Sequence, residues 1–480
     1  MSRQLAVRNP RTGQADYTAQ AADAAELAAV VAELREAQPA WASAGAPHRC
    51  KVVMDWAEAL LADPQPVVAA LTTDTGRHLI SVVEVQGLRA MIARACGAAP
   101  KIFADGGEHA STTEGVGVRN QLIPYEVVGV ISPWNFPFLL SMIDAIPALI
   151  AGCSVIVKPS EVTPRFIEPL QDSLRGHPEL AAVFQWVAGD GETGAAMTEH
   201  VDAIAFTGSV ATGRLVAEAC ARNFIPAFLE LGGKDPAIVL PSADMDQAAR
   251  IILRASVQAT GQACQSLERV YVPRERENEF VDKLVARAER VELNYPDINK
   301  GHIGPLIFAR QGDIIRDHIA DAVQKGATVR CGGQIETHGG GTWVRPTVLT
   351  GVDHSMQVMR DETFGPIVPV MAYDSIEHAI ELANDTRYGL SAAVFGADLE
   401  QAEAIARRID AGAVSINDGG MTTDVHDAEH DSFRLSGMGA SRMGDSGVTR
   451  FMRRKAVLIR HAEAKDIDSL DERLMSAAES

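Results

Sequence analysis

From Ala21 to Ala62 the apolar residues Leu27, Val30, Val31, Leu34, Trp41, Val52, Trp56 and Leu60 return at helical spacing. That is the pattern of helices that each bury one face. A second helical stretch runs from Pro64 to about Ala99. Neither stretch gathers reactive side chains, so both are expected to pack against a sheet formed later in the chain. From Ile123 the pattern changes to short apolar runs, Val127–Ile131, Ser154–Val157, Val183–Val187, Ala203–Phe206 and Ala227–Leu229, each leading into a turn or glycine. Helical stretches between them recur at the spacing of βαβ units, which predicts a doubly wound parallel sheet.

Leu231-Gly-Gly-Lys-Asp-Pro236 interrupts this rhythm, and a second α/β series follows: Ala237–Leu240, Arg269–Val272, Pro366–Tyr373, Ala392–Phe395 and Ala413–Ile416. A domain boundary is expected near Gly232. At 480 residues the chain is too long for one core, which agrees with that division. Phe136 to Val157 is long and apolar enough to resemble a membrane span, but Asp144, Pro147 and Gly152 interrupt it. It reads instead as a buried helix over about 138–151 followed by a buried strand. After Val457 the charged tail is expected to form a docked or frayed terminal helix.

Charge changes the picture only by exclusion. Forty-four Lys and Arg against 63 Asp and Glu give a net −19, which opposes nucleic acid and anionic membrane as partners. Six cysteines, at 50, 96, 153, 220, 264 and 331, form no C-x-x-C pair, and no histidine cluster completes a metal pattern. Isolated thiols fit a reducing compartment, with Cys96 and Cys220 as buried structural residues. Met1 to Asp23 has no apolar signal region, so a soluble, cytoplasmic protein is expected.

Several segments offer chemistry. Gly189-Asp-Gly191-Glu-Thr-Gly194 matches G-x-G-x-x-G, but the strand that follows, Ala203–Phe206, does not end in an acidic residue. The glycines serve either a phosphate or merely a tight turn. Phe206-Thr-Gly208-Ser209-Val-Ala-Thr212-Gly213 ends a strand and opens a helix expected over Gly213–Arg222. Free N–H groups and the helix dipole there suit a pyrophosphate, although a plain Ser cap reads the same way. Lys158-Pro-Ser-Glu161 lies at the carboxyl end of a strand, where open α/β sheets gather ligands. An ammonium and a carboxylate so spaced can grip the two hydroxyls of a ribose.

The widest constellation joins Pro133-Trp-Asn-Phe-Pro137, Glu230-Leu-Gly-Gly-Lys-Asp-Pro236, Gly261-Gln-Ala-Cys264 and Glu362-Thr-Phe-Gly-Pro366. These supply an amide donor, a carboxylate, a thiol and an acidic–aromatic pair. Together with Lys158–Glu161 they resemble the aldehyde dehydrogenase superfamily, from about Asn9 to Val457. The motifs stand in that family's order, and Glu230 and Cys264 look to have its spacing.

The resemblance implies a Rossmann-like cofactor domain over 1–115 and 124–232, and an α/β catalytic domain over 233–430. It also implies a small β bridging element from 116–123 and 455–480, through which a homodimer or homotetramer would assemble. Cys264 matches the nucleophile that forms a thiohemiacetal and then a thioester. Asn135, with the Cys264 backbone N–H, matches the oxyanion site. Glu230 matches the base that activates water for hydrolysis. Lys158 and Glu161 resemble an adenosine-ribose clamp, while Trp134, Gly208 and Ser209 resemble pyrophosphate contacts beside Leu231. Glu362 and Phe364 resemble the nicotinamide-ribose ligand and its packing partner. Gly232, Gly233, Gly365 and Pro366 read as backbone shapers. The cofactor implied is NAD, with NADP possible but opposed by the charge of Glu161.

Near the C-terminus the likeness weakens. Glu429-His-Asp-Ser432 and Ser436-Gly-Met-Gly-Ala-Ser441 replace the family's usual turns, and Val425 to His430 is unusually polar. That region would line the substrate mouth. Phe136, Leu140 and Ile143 on the tunnel helix, with Ala263 and Gln265 beside the thiol, imply an uncharged, apolar or aromatic aldehyde. His426, His430 and Arg434 at the mouth are the counterweight, since they could receive an anion. A coenzyme A-acylating enzyme and a thiol esterase are the alternatives, the first argued against by Glu230 and the second by Lys158, Glu161 and Glu362.

Overall fold

In the computed structural model, which describes residues 3–472, the two apolar series become two sheets. The first runs in the order Gly437–Met438, Ala227–Glu230, Ala203–Thr207, Val127–Ile131, Ser154–Lys158, Phe184–Trp186. Its strands are parallel except for the two-residue Gly437–Met438 at the edge. Alternate residues enter opposite cores. Val128, Val130, Val155 and Val157 pack with Trp56 and Phe138, whereas Val127, Ile131, Ile156 and Ile204 pack with Leu27 and Leu34. Both faces are covered by helices, which is why these strands read as unbroken apolar runs.

The second sheet has seven strands in the order Thr328–Cys331, Thr347–Thr350, Ile367–Tyr373, Leu267–Pro273, Asp235–Val239, Ser391–Phe395, Ala413–Ile416. Only Thr328–Cys331 runs antiparallel within it. Glu230 and Asp235 thus end one sheet and begin the other, so Leu231–Lys234 forms the seam between them. Apart from both sheets, Met452–Arg460 pairs antiparallel along Val116–Pro124, from Met452 opposite Pro124 to Arg460 opposite Val116.

The structure corrects several expectations. Arg3–Arg8 and Ala15–Ala21 form an antiparallel hairpin before the first helix, which starts at Ala24. The helical stretch to Ala62 breaks at Gly45, whose φ is 83°. The helix expected from Gly213 begins at Val210, because Ser209 caps it by accepting from the Thr212 N–H. Four strands between Thr328 and Thr350 escaped the reading. Cys50 and Cys96 are not isolated thiols: they form a disulfide between the helices Ala46–Ala62 and Leu88–Ile102. Cys153 and Cys220 are free and buried.

The apolar stretch Phe136 to Val157 becomes the helix Pro137–Ala151 and the strand Ser154–Lys158. Among the described residues no helix is long and apolar enough to cross a membrane. A strand through Arg460 and a helical turn at Ile467–Leu470 replace the start of the expected terminal helix. Its last residues, 473–480, lie outside the described ones.

Candidate active site

Asn135 stands four residues beyond the strand Val127–Ile131, in the loop that enters the helix Pro137–Ala151. It is 3% exposed, and its Nδ2 donates to the carbonyl of Gln262 at 2.9 Å. An amide nitrogen carries two hydrogens, so one donor remains for a ligand. The Asn135 carbonyl accepts from the guanidinium of Arg77, which also donates to Ala259 O at 3.4 Å and lies over the Phe136 ring. Arg77 therefore ties the Asn135 loop to the Cys264 loop. Beside it, Glu84 accepts from the Phe138 and Leu139 N–H groups at 3.1 and 3.0 Å, capping the helix from outside. Burial lowers Arg77 to about 10 and raises Glu84 to about 7.

The nucleophile loop is an unusual turn. Ala259, Thr260 and Gly261 follow one another at φ 54°, 64° and 66°, a left-handed run that persists only when its surroundings impose it. The Thr260 hydroxyl donates to Gly304 O at 2.9 Å. Gln262 donates to Ala259 O and Pro305 O and accepts from Ile307 N–H at 2.9 Å. These bonds present Cys264, which is free and half-buried, at the seam. Burial pushes its thiol up to about 12, helped by the charges of Glu362, Asp235 and Glu230 and opposed by Arg442. As it stands, the site holds a thiol that needs a base before it can attack.

Glu230 ends the strand Ala227–Glu230. Its Oε2 accepts from the Ser432 hydroxyl at 2.7 Å, and its Oε1 lies 3.8 Å from Arg442 Nε. Gly233 cannot carry a side chain, since a Cβ there would stand 2.6 Å from the Cys264 carbonyl. The Gly233 N–H donates to Glu362 Oε1 at 3.2 Å. Burial, with Glu268 nearby, raises Glu362 to about 8.

Glu268 organises the Glu362 loop, accepting from Thr363 and Phe364 N–H at 2.8 and 2.7 Å and from Lys234 Nζ at 2.6 Å. Phe364, at φ 51°, sets its ring edge-on to Trp134 with centroids 5.3 Å apart.

At the carboxyl edge of the first sheet Lys158 is 3% exposed, and Nζ donates to Pro159 O and Gly189 O, each at 3.0 Å. An ammonium has three donors, so one stays available toward a ribose hydroxyl. Glu161 is exposed on the surface, near enough for its charge to act on Lys158. Asp190 caps the helix Gly191–Met197, so two of the three glycines in the G-x-G-x-x-G match lie within that helix. Gly208 N–H donates to Glu230 O at 3.1 Å, and Leu231 N–H to Ser436 O at 2.8 Å, which splices the helix mouth at Val210 to the seam. A buried ammonium with a spare donor and a 13-residue helix opening at the same sheet edge fit a dinucleotide.

The cations expected at the mouth behave differently. Arg434 donates to Asn384 O and Thr386 O and pairs with Asp410, so it is spent on neighbouring loops. His430 Nδ1 faces Ala428 O at 2.9 Å. His426 alone of the three lines a cavity of about 370 Å³, together with Met91, Ile143, Arg442 and Met443. Sequence reasoning missed Arg77, Glu84, Lys234, Glu268, Ser432 and Arg442. A signal existed for one group of them: Asp144 sits alone in an apolar run, and a buried carboxylate requires partners. Those are Arg442 at 3.0 Å and Arg450.

The sequence profile described as "Aldehyde dehydrogenase family" matches residues 1–457. A solved structure described as "Putative Aldehyde Dehydrogenase PutA" from Anabaena variabilis superposes with a TM-score of 0.94 at 49% identity, covering 97% of this chain and 99% of that one. A Mycolicibacterium smegmatis protein named "Putative succinate-semialdehyde dehydrogenase", with NADP(+) in its name, is 40% identical over 336 residues. That match covers 70% of this chain but only 65% of the relative's length. Geranial dehydrogenase of Castellaniella defragrans is 37% identical over 338 residues, 70% of each chain.

Proposed function

We infer, from the premise that the chain belongs to the aldehyde dehydrogenase family, that it oxidises an aldehyde to a carboxylic acid with NAD(P), using Cys264 as nucleophile. The observation that carries this reading is the convergence at one seam of the Asn135 amide, the Cys264 thiol and two carboxylates, Glu230 and Glu362.

The Cys264 proton passes to solvent, and the thiolate Sγ bonds to the aldehyde carbon as the C=O π pair moves onto oxygen. The Asn135 Nδ2 and the Cys264 N–H hold the resulting oxyanion. A bound nicotinamide cofactor, held at its nicotinamide end by Glu362 and Phe364, would supply the two-electron oxidation. Glu230 leaves Ser432, takes a proton from water, and the hydroxide so formed cleaves the thioester to release the acid. Lys158 and Glu161 would hold the adenosine ribose; Trp134, Gly208, Ser209 and Leu231 the pyrophosphate region; Glu362 and Phe364 the nicotinamide end. Glu161 favours NAD, because like charges near 4 Å cost about 1 kcal/mol in water and more in a site of lower dielectric. NADP(+) stands in the names of two relatives, so the preference needs its own test.

The substrate we assign is uncharged and apolar or aromatic. Phe136 precedes the helix that carries Leu140 and Ile143, and these apolar side chains follow Asn135 directly; Ile143 also lines a cavity whose wall joins Met91, Pro147 and Met443 to the charged Arg94, Lys101, Glu429 and Arg442. The names of two relatives span the choice, geranial on one side and succinate semialdehyde on the other.

Self-association as a dimer or tetramer is supported by the strand Met452–Arg460, which lies at an edge of its sheet with Val457 and Leu458 exposed. The Cys50–Cys96 disulfide weighs against the reducing compartment expected from isolated thiols.

The test is an aldehyde panel read as NADH or NADPH absorbance. Hexanal and benzaldehyde should exceed succinate semialdehyde in kcat/KM. A tenfold advantage for the semialdehyde would overturn the substrate assignment, and acceleration by coenzyme A with an acyl-CoA product would overturn hydrolysis.

A further inference from the structure

The polar C-terminal segment that departs from the family pattern carries a buried charge cluster beside the base. Arg442 has a side chain only 9% exposed. Its Nη2 donates to Asp144 Oδ2 at 3.0 Å and to the Thr207 hydroxyl at 2.5 Å. Its Nε has no hydrogen-bond partner among the described residues and lies 3.8 Å from Glu230 Oε1. Asp144 also receives Arg450, whose guanidinium lies over Phe451 at 4.7 Å and Phe228 at 5.4 Å.

Two guanidiniums share one buried carboxylate, which leaves one largely buried positive charge in need of a second counter-ion. Glu230 is the carboxylate that supplies it. Burying an uncompensated charge is expensive, so the sequence has reason to keep Glu230 near. Yet the contact is not a fork. Among the described residues Ser432 makes the one hydrogen bond to the Glu230 carboxylate, and the gap to Arg442 is too long to be another. The base is thus held by one hydroxyl and by charge, and it can leave without breaking a bidentate pair.

We propose that Arg442, anchored by Asp144 and Thr207 and set 3.8 Å from Glu230, is a positioning residue: it retains Glu230 beside Ser432 between turnovers and fixes a positive charge at the seam where Cys264 stands. This rests on the assignment of Cys264 as nucleophile and Glu230 as base. Among the charges that act on the thiol, Glu362, Asp235 and Glu230 oppose ionisation and Arg442 favours it. The two roles are coupled. When Glu230 moves toward the thioester, Arg442 loses its counter-ion, and the pull to restore that pairing returns the base after hydrolysis.

Alkylation of Cys264 by iodoacetamide, followed by peptide mass spectrometry between pH 7.5 and 9.5, reads the thiolate fraction without turnover or cofactor. Arg442→Met should slow alkylation about fivefold or more at each pH, because the positive charge that favours the thiolate is gone. Arg442→Lys should restore it to within twofold, and Glu230→Gln, which removes a negative charge, should accelerate it. In rapid mixing, Arg442→Met should also lower the steady-state rate more than the NADH burst amplitude. If Arg442→Met does not fold, Arg442→Gln, whose amide can still donate to Asp144 and Thr207, carries the same expectations. Alkylation equal to wild type in a folded Met or Gln variant overturns the proposal, as does failure of Lys to rescue. Because alkylation is independent of aldehyde oxidation, an inactive aldehyde panel with the expected alkylation pattern would refute the functional reading and leave the charge argument standing.

Discussion

Asn135→Ala removes the side-chain donor that the oxyanion would use, and the structure allows its two costs to be separated. One amide hydrogen already serves Gln262 O at 2.9 Å, so the truncation leaves that buried carbonyl without its donor. An orphaned buried acceptor costs about 1–3 kcal/mol of stability. The loop itself should stay in place, because Arg77 grips the backbone carbonyl of Asn135 rather than its side chain. The catalytic cost is distinct. Loss of one oxyanion donor typically raises the barrier by about 3 kcal/mol, or roughly 100- to 1,000-fold in rate. Stopped-flow NADH absorbance at saturating cofactor and aldehyde should therefore show the burst rate falling about 100-fold or more. The dissociation constant for NAD should change less than threefold. Asn135→Asp should be slower still, since a carboxylate would repel the oxyanion. A burst rate within threefold of wild type in a folded Asn135→Ala protein would refute the assignment of this amide.

Cys264→Ser should abolish turnover yet keep the thermal shift produced by NAD, and activity above a few per cent would count against Cys264. Glu230→Gln should give a normal NADH burst followed by a near-zero steady state; equal deacylation in variant and wild type would remove Glu230 from its role as base. Glu161→Gln should narrow the ratio of kcat/KM for NAD over NADP, and a wild-type ratio of one or less would reverse the cofactor assignment. Burial raises Glu84 to about 7, so the folded protein binds more protons at this site than the unfolded chain from its ordinary value of 4.5 upward. Its contribution to stability is then present at low pH and falls as pH rises toward 7, and the Tm of wild type relative to Glu84→Gln should decline between pH 5 and 8. A constant difference would mean that Arg77 and the helix N-terminus leave Glu84 ionised throughout.

The pattern of strand, turn and helix from Val127 to Leu231 was legible because both sheet faces are buried, which makes each strand a continuous apolar run. The motifs around Asn135, Glu230, Cys264 and Glu362 were legible for a different reason: each is local, a few residues at one strand end. What escaped is non-local or short. Glu268 supports Phe364 from 96 positions away, and Arg442 meets Asp144 across 298. No local periodicity encodes such pairings. The two-residue strand Gly437–Met438 is below the length at which alternation can be seen. Cys50 and Cys96 lie on separate helices, so their approach depends on how those helices pack. The N-terminal hairpin was hidden by partly exposed strands with weak alternation. Arg434 misled because charge alone suggested a mouth cation, whereas neighbouring carbonyls and Asp410 consume it.

The central claim is that the aldehyde carbon becomes a thioester on Cys264. Intact-protein mass spectrometry of Glu230→Gln, quenched in acid after mixing with NAD and hexanal, tests it most directly. The account predicts a single adduct of one hexanoyl group per chain, mapped by proteolysis to the peptide containing Cys264 and absent when NAD is omitted. No adduct while NADH is formed, or an adduct on Cys153, Cys220 or Cys331 in place of Cys264, would contradict it.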